Sequence, residues 1–290
     1  MVILDRQNRL FGKIHILTVG IPLLLIVGTL AFLSLFGRSG HFVTVRIKGG
    51  PGNWWWVTPR PPEWYVSSVQ VGDAEIDSLG RTIAKVEDVR IYESGGPNKD
   101  IYLRARLRAS YNPLSRKYKY KGQPVQVGSP ITLELGQTLF SGNVIDVYGF
   151  GGEPAAVPKE ELVEKIVVTR LYNVFEWEYD AIKVGERMTD GAGNVIAEIL
   201  DKSQTPPQLS TAIIKQIANK DDEIIFGKDP IRRDITITLR VKARKERDVY
   251  VFREEQYLKV GKDLWAFFPS YDVAEAKIIS IADIVTPVTP

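Results

Sequence analysis

Few residues in this chain could do chemistry, and most of those are carboxylates. Its 290 residues include no cysteine and only two histidines, His15 and His41. Both lie in or just after an apolar N-terminal segment, so Cys–His sites, Ser–His–Asp triads and ordinary zinc sites are excluded from the remainder. Neither a G-x-x-x-x-G-K-[ST] phosphate loop nor a G-x-S-x-G motif occurs. Paired carboxylates or a Lys or Tyr base are the catalytic options that remain.

Three acids at alternate positions, Asp73, Glu75 and Asp77, form a candidate metal site. On a strand, alternate side chains share one face, and carboxylate oxygens are ligands that Ca²⁺ prefers. In the equivalent segment further along the chain, Met188 replaces the middle acid. We therefore favour solvated hairpin acids over a metal site, and we expect no cofactor.

Three consecutive tryptophans, Trp54, Trp55 and Trp56, form the strongest candidate contact site. In an extended segment successive side chains alternate between faces, so all three cannot enter one small core. They could lie in a membrane interface, where Trp is favoured, or fill a groove on a neighbouring subunit, since Trp is a frequent hot spot. The remaining alternative is a loop that folds back over its own domain.

The elements that must position these residues are encoded twice. The segment 100–147 aligns with 234–281, with a slip of one residue near a Val-Gly step in the middle, and 62–89 aligns with 175–202 without a gap. A duplicated sequence of this kind predicts two homologous units in tandem.

Both units have the alternation of apolar and polar residues that is typical of strands with one buried face. IYLRARL from Ile101 and ITITLRV from Ile235 are examples. An apolar-x-Val step precedes a glycine four times, which indicates four equivalent strand-to-turn corners where a positive φ is needed. These glycines are Gly72, Gly128, Gly185 and Gly261. The predicted fold class is mainly β, with two small β-barrel or sandwich domains.

Trp64 and Trp177 occupy equivalent places, each after a glutamate and at the same offset before a corner glycine. An aromatic residue at identical offsets in two homologous units is most simply a core plug, that is, a buried side chain that fills the core of its own unit. We therefore predict that each side chain is buried in its own unit and has a structural role.

The segment 14–36 contains no Asp, Glu, Lys or Arg. As a helix it would extend for about 34 Å, slightly more than the roughly 30 Å hydrocarbon core of a bilayer. This length and composition predict a single transmembrane helix in the cytoplasmic membrane. Basic residues are nearly balanced across it, with Arg6, Arg9 and Lys13 crowding the N-terminal side, so we favour an N-terminus inside and C-terminal domains outside.

The predicted organisation follows from these features. The segments are a cytoplasmic tail at 1–13 that could form a small hairpin, the membrane helix at 14–36, a first β unit at 42–149, a linker with a short helix at 150–165, a second β unit at 166–283 and a loose tail at 284–290. A helical insertion is expected near 205–230 of the second unit, where Leu209, Ala212, Ile213 and Ile217 have helical spacing.

The N-terminal residues resemble a known bacterial family. Asp5, followed by Arg-Leu-Phe-Gly-Lys-Ile at 9–14, is similar to the signature of domain of unknown function 4330, and 71–89 also fits that pattern. The second unit would be a diverged extra copy, and the tryptophan run departs from the pattern. No catalytic residue is established for that family, so the resemblance implies none here. The glycine hairpin at 72–89 is also similar, more weakly, to mammalian-cell-entry (MCE) lipid-transport domains.

The leading expectation is a binding role without catalysis. With 38 basic and 35 acidic residues, the net charge of +3 gives no indication of nucleic-acid binding. We expect a non-enzymatic, single-pass, extracytoplasmic binding or scaffold protein of a cell-envelope or export assembly, contacting the bilayer and either itself or other envelope proteins. The alternatives are an MCE-like oligomeric lipid carrier and an enzyme that processes envelope polymers.

Overall fold

A computed structural model describes residues 9–10, 14–36, 41–50, 60–112, 114–148, 160–208, 211–215, 223–227 and 229–284. The chain divides after His41 into an N-terminal part and a larger compact part that contains both repeats. We call the described residues from 42 to 148 the first unit and those from 160 to 284 the second unit.

The N-terminal part contains a short hairpin and a helix. Strands β1 (Arg9–Leu10) and β2 (Ile14–His15) pair antiparallel, and helix α1 (Ile16–Phe36) follows. Side chains between 20 and 30 are exposed, including Leu24 at 74%. Among the described ranges, no helix is both long and apolar enough for a membrane crossing. The predicted transmembrane span at 14–36 is therefore not confirmed.

The first unit is a curled sheet with the strand order β4-β5-β6-β3-β10-β9, and a hairpin of β7 and β8 extends from β6. One short helix, α2 (Glu63–Val66), precedes β4. The strands are β3 (His41–Gly49), β4 (Ala74–Ile76), β5 (Thr82–Glu93), β6 (Lys99–Asn112), β7 (Lys117–Tyr120), β8 (Gln123–Val125), β9 (Pro130–Leu135) and β10 (Thr138–Tyr148).

The main sheet of the second unit has the same topology, strand for strand, and the unit adds a separate hairpin of β14 and β15. Its order is β12-β13-β16-β11-β20-β19, with the hairpin of β17 and β18 extending from β16. Helix α3 (Glu176–Ala181) corresponds to α2. The strands are β11 (Glu161–Phe175), β12 (Arg187–Thr189), β13 (Val195–Thr205), β14 (Thr211–Lys215), β15 (Glu223–Gly227), β16 (Arg232–Glu246), β17 (Val249–Phe252), β18 (Gln256–Leu258), β19 (Asp263–Phe267) and β20 (Asp272–Asp283). The predicted pair of tandem, mainly β domains is confirmed.

Each unit buries its own core because its strands alternate between inward apolar and outward polar side chains. In β3, Val43, Val45 and Ile47 are fully buried, and in β16 the same is true of Ile237 and Leu239. The buried apolar residues of the two units form separate clusters. Burial of such side chains is the main favourable term in folding.

The four corner glycines are equivalent, as predicted. Each has a positive φ and donates its N–H to a carbonyl on the second strand of the hairpin that follows. The pairs are Gly72 (φ +98°) to Val86 at 2.9 Å, Gly128 (+87°) to Val144 at 2.7 Å, Gly185 (+85°) to Ile199 at 2.7 Å and Gly261 (+84°) to Ile278 at 2.8 Å. One residue beyond each acceptor a β-bulge shifts the strand register. Each unit is thus itself built from two similar halves.

Two predicted helices are wrong. The brief helix expected within 150–165 is, in its described part, the start of β11, which pairs with β16 from Glu161 onward. The helix expected near 205–230 is replaced by β14, which pairs with β15. Helical spacing was outweighed here by β-branched pairs such as Ile213–Ile225, because β-branched side chains favour strands.

Candidate functional site

The three alternating acids do not form one site. Glu75 is buried, accepts a hydrogen bond from the Tyr120 hydroxyl and forms an ion pair with Lys121. The Asp77 carboxylate instead closes its own hairpin, and its hydrogen bonds with Arg81 lower the pKa of that carboxyl. Within the described ranges no cluster of three or more His, Asp or Glu residues could hold a metal ion.

The predicted core plugs are wrong. Trp64 and Trp177 are 74% and 64% exposed, on the one-turn helices α2 and α3. In α2 only Val66 is buried, whereas α3 has no buried residue, and the apolar residue that enters the core there, Ile182, follows directly after the helix. Trp54, Trp55 and Trp56 lie outside the described residues.

The two units meet along a seam, which we define as the contacts of β3, β5 and β6 with β16 and with the turns after β12 and β17. At one end the Gly191 amide donates to the Ile91 carbonyl at 2.8 Å, beside a bridge between Tyr92 and Asp190. A Cβ on Gly191 would lie 2.7 Å from the Ile91 Cβ, closer than real contacts allow. Glycine is therefore required here for the approach of the units.

At the centre of the seam, one glutamate joins the two units. The Glu254 side chain is only 2% exposed. Its carboxylate accepts hydrogen bonds from Arg46 at 2.9 Å and Arg90 at 2.6 Å of the first unit, and from Arg244 at 2.6 Å of the second. The Tyr92 hydroxyl adds a fourth at 3.1 Å. Charge-assisted bonds of this kind are about twice as strong as neutral ones.

Two opposing effects set the protonation state of this carboxylate. Burial raises the pKa of Glu254, but the charges of Arg90 and Arg244 outweigh burial and lower it to about 2. A general acid or base needs a pKa near the working pH. Glu254 is therefore charged at neutral pH and connects the two units.

The hairpin tip that carries Glu254 has an unusual backbone. Arg253 and Glu254 have φ values of 50° and 72°, and the Glu255 amide donates to the Arg253 carbonyl at 3.0 Å. At the equivalent tip of the first unit, Lys121 (φ 47°) is followed by Gly122 (φ 81°). A left-handed conformation costs a non-glycine residue about 1–2 kcal/mol, so the seam contacts maintain a conformation that glycine adopts freely.

Sequence reasoning missed this tip, although a signal was present. Relative to the first hairpin, the second has Glu255 as an extra residue and a glutamate in place of glycine. The second copy of the turn therefore has two acids, Glu254 and Glu255, in place of one glycine, which indicates a different role. In the second unit it contacts a neighbouring unit, whereas in the first a Cβ added at Gly122 would meet no atom within 4 Å.

Beside the seam lies a cleft of about 850 Å³. It is bordered by the whole of β12, an outermost strand of its sheet, by the turn from β19 to β20, and by Gly95 and Gly96 of the first unit. Trp177, Phe267 and Tyr271 supply aromatic faces. In the first unit the corresponding edge strands, β4 and β9, lie against each other, so the cleft is a feature of the second unit.

Two of the three carboxylates on the cleft wall already have partners. Glu178 accepts from the Phe175 amide at 2.8 Å and from the Tyr271 hydroxyl at 2.5 Å. Glu93 pairs with Lys99 through both oxygens, at 2.6 and 2.8 Å. The cleft therefore offers aromatic surface and the edge of a strand to a bound molecule, and these two acids serve the structure of the wall.

No family model matches this chain, and no curated protein or solved structure matches it either.

Proposed function

We propose that this chain is a non-enzymatic binding protein of the cell envelope, held at the membrane by its N-terminal segment. In this proposal the duplicated β units form a single body, and the cleft of the second unit binds a partner. The observation that carries the proposal is the position of the cleft, which combines an unpaired strand edge with an exposed tryptophan beside the seam.

Membrane attachment is supported by the sequence of 14–36, which has no charged residue, and by the exposed apolar side chains of α1 between 20 and 30. We propose the cytoplasmic membrane, with Arg6, Arg9 and Lys13 inside and both units outside, since basic residues favour the cytoplasmic side. The resemblance to domain of unknown function 4330 would accord with this placement.

For the cleft we propose an extended segment of a partner protein. Extended peptides add to unpaired sheet edges through main-chain hydrogen bonds, and β12 is the outermost strand of its sheet among the described strands. Trp177, next to this edge, would supply the buried aromatic contact that dominates many interfaces. Catalysis is not proposed, because Glu178 and Glu93 are engaged by neighbouring groups.

Site-specific photo-crosslinking tests this proposal. Trp177 is replaced with p-benzoylphenylalanine in the full chain, and adducts are formed in intact envelopes and identified by mass spectrometry. Trp64 is the matched control, because it is also largely exposed, at the equivalent place of the first unit. We expect an adduct with one defined protein at 177 that is absent at 64. No adduct at either position, or the same adducts at both, would contradict the proposal.

A further inference from the structure

A second cavity, of about 290 Å³, lies on the seam and shares Phe267 with the aromatic cleft. Lys48, Arg60 and Tyr102 of the first unit line it together with Arg253 and Gln256 of the second. Its lining is rich in cations and hydrogen-bond donors, and it is large enough for one small ion with water.

Arg253 is the most buried cation of this cavity, with 7% of the residue exposed. Its guanidinium group lies between the rings of Tyr92 and Phe267, at 5.6 and 4.9 Å from their centroids. One terminal nitrogen donates to the Glu93 carbonyl and, at 2.8 Å, to Asp100. The Nε atom is buried without a hydrogen-bond partner. An unpaired buried donor costs about 1–3 kcal/mol, so the protein alone does not fully satisfy this guanidinium group.

The charges around the cavity do not cancel. Three cations, Lys48, Arg60 and Arg253, face two carboxylates, Asp100 and Glu255. Lys48 pairs with Glu255 at 2.6 Å, while Arg60 is 3.9 Å from Asp100, at the outer limit of an ion pair. Burial lowers the pKa of the Arg253 guanidinium, which is the direction expected when a buried cation has too little compensating charge.

We propose that this cavity binds a small tetrahedral oxyanion, a phosphate or sulfate group, through Lys48, Arg60 and Arg253. Guanidinium groups match phosphate oxygens with several parallel donors. A phosphate group would supply the missing negative charge and would span the two units. The group could come from free phosphate or from a phosphorylated lipid headgroup, which share this chemistry.

Calorimetric titration of the detergent-solubilised full chain with inorganic phosphate, at constant ionic strength, tests the proposal. Lys48→Gln and Arg60→Gln should each weaken binding about tenfold, because each removes a charge-assisted hydrogen bond. Glu255→Gln should strengthen binding, since it removes a competing carboxylate. Lys277→Gln is the control: Lys277 is also paired with an acid, Asp263, at 2.5 Å, but it does not line the cavity, and its removal should leave the affinity unchanged.

A second arm separates the two sources of phosphate. The same variants are tested for binding to phosphatidylcholine vesicles with and without phosphatidic acid. Phosphate binding in solution with no effect of the variants on vesicles assigns the site to a free anion, and loss of phosphatidic acid binding in Arg60→Gln assigns it to a headgroup. If the unaltered chain binds neither probe, or if Lys277→Gln weakens binding as much as Lys48→Gln, the proposal is overturned.

Discussion

The Glu254 carboxylate is almost fully removed from water and lies against three guanidinium groups from two different units. A buried charge is stable only when paired, and removing one member of such a network typically costs about 3–5 kcal/mol. At this position the network also holds the backbone in a left-handed conformation. Glu254 thus pairs with charges of both units and thereby joins the two units.

Replacing this carboxylate should destabilise the whole protein. We expect Glu254→Gln to lower the free energy of unfolding by about 3 kcal/mol, because Arg90 and Arg244 would remain charged and incompletely paired. Chemical denaturation of the full chain measures the effect. Glu134→Gln is the control, since Glu134 is 69% exposed in its pair with Lys121 and should change stability by less than about 1 kcal/mol. Equal effects of the two variants would contradict this interpretation.

The same carboxylate predicts a pH dependence. Its pKa falls from 4.5 to about 2 on folding, so its contribution is fully present above the unfolded value and is lost as the pH falls toward the folded value. Between about pH 5 and about pH 3 the unaltered chain should lose about 2 kcal/mol through this group. Denaturation curves at both pH values should show a smaller loss in Glu254→Gln. An identical loss in the variant would show that other groups cause it.

At single residues, the sequence predicted backbone conformation correctly but did not predict side-chain burial. Gly72 has the positive φ that the repeated step predicted, because that requirement is local. Trp64 and Trp177 are exposed although they repeat at the same offset. Which side of a one-turn helix faces the sheet depends on its entry angle, and the sequence pattern does not contain that angle.

At the level of elements, glycines serve two different physical purposes. Gly72 has a φ of +98° and open space around its missing side chain. Gly142 lies within β10, where an added Cβ would come 2.3 Å from the Lys48 carbonyl oxygen of the neighbouring strand. The first glycine is needed for its conformation, and the second is needed for the close approach of two strands.

This difference gives a prediction about two substitutions to alanine. Gly72→Ala should cost about 1 kcal/mol, through backbone strain alone. Gly142→Ala should cost about 3 kcal/mol, because β3 and β10 must move apart. Thermal or chemical unfolding of the two variants compares them directly. A larger effect at Gly72 than at Gly142 would mean that the pairing of these strands is looser than described.

The strands of both units could be predicted from alternation, and their shared topology from the duplication. The hairpin of β14 and β15 could not, because Ala212 and Ile213 fit helical spacing as well as a strand. The pairing of β14 depends on the later segment, β15, that lies next to it in the fold. The start of β11 at Glu161 was missed for the same reason, since it depends on the partner strand β16.

At the level of the whole molecule, the sequence predicted two units but not how they are joined. The seam depends on contacts between residues that are far apart in sequence, such as Arg90 and Glu254. Repeat alignment compares equivalent positions and carries no information about contacts between the copies. The two glycines of the DGAG turn illustrate this, because Gly193 provides the positive φ of the turn while Gly191 touches the other unit.

The central claim, that the seam makes one cooperative body of the two units, is tested most directly by hydrogen exchange along a denaturant series. In the unaltered full chain, core peptides of β6 and β16 should lose protection at the same denaturant concentration. Gly191→Ala should separate the two midpoints, because its Cβ would push Ile91 away. Gly193→Ala, whose Cβ meets no neighbouring atom, should leave them together. Separate midpoints in the unaltered chain would contradict the account.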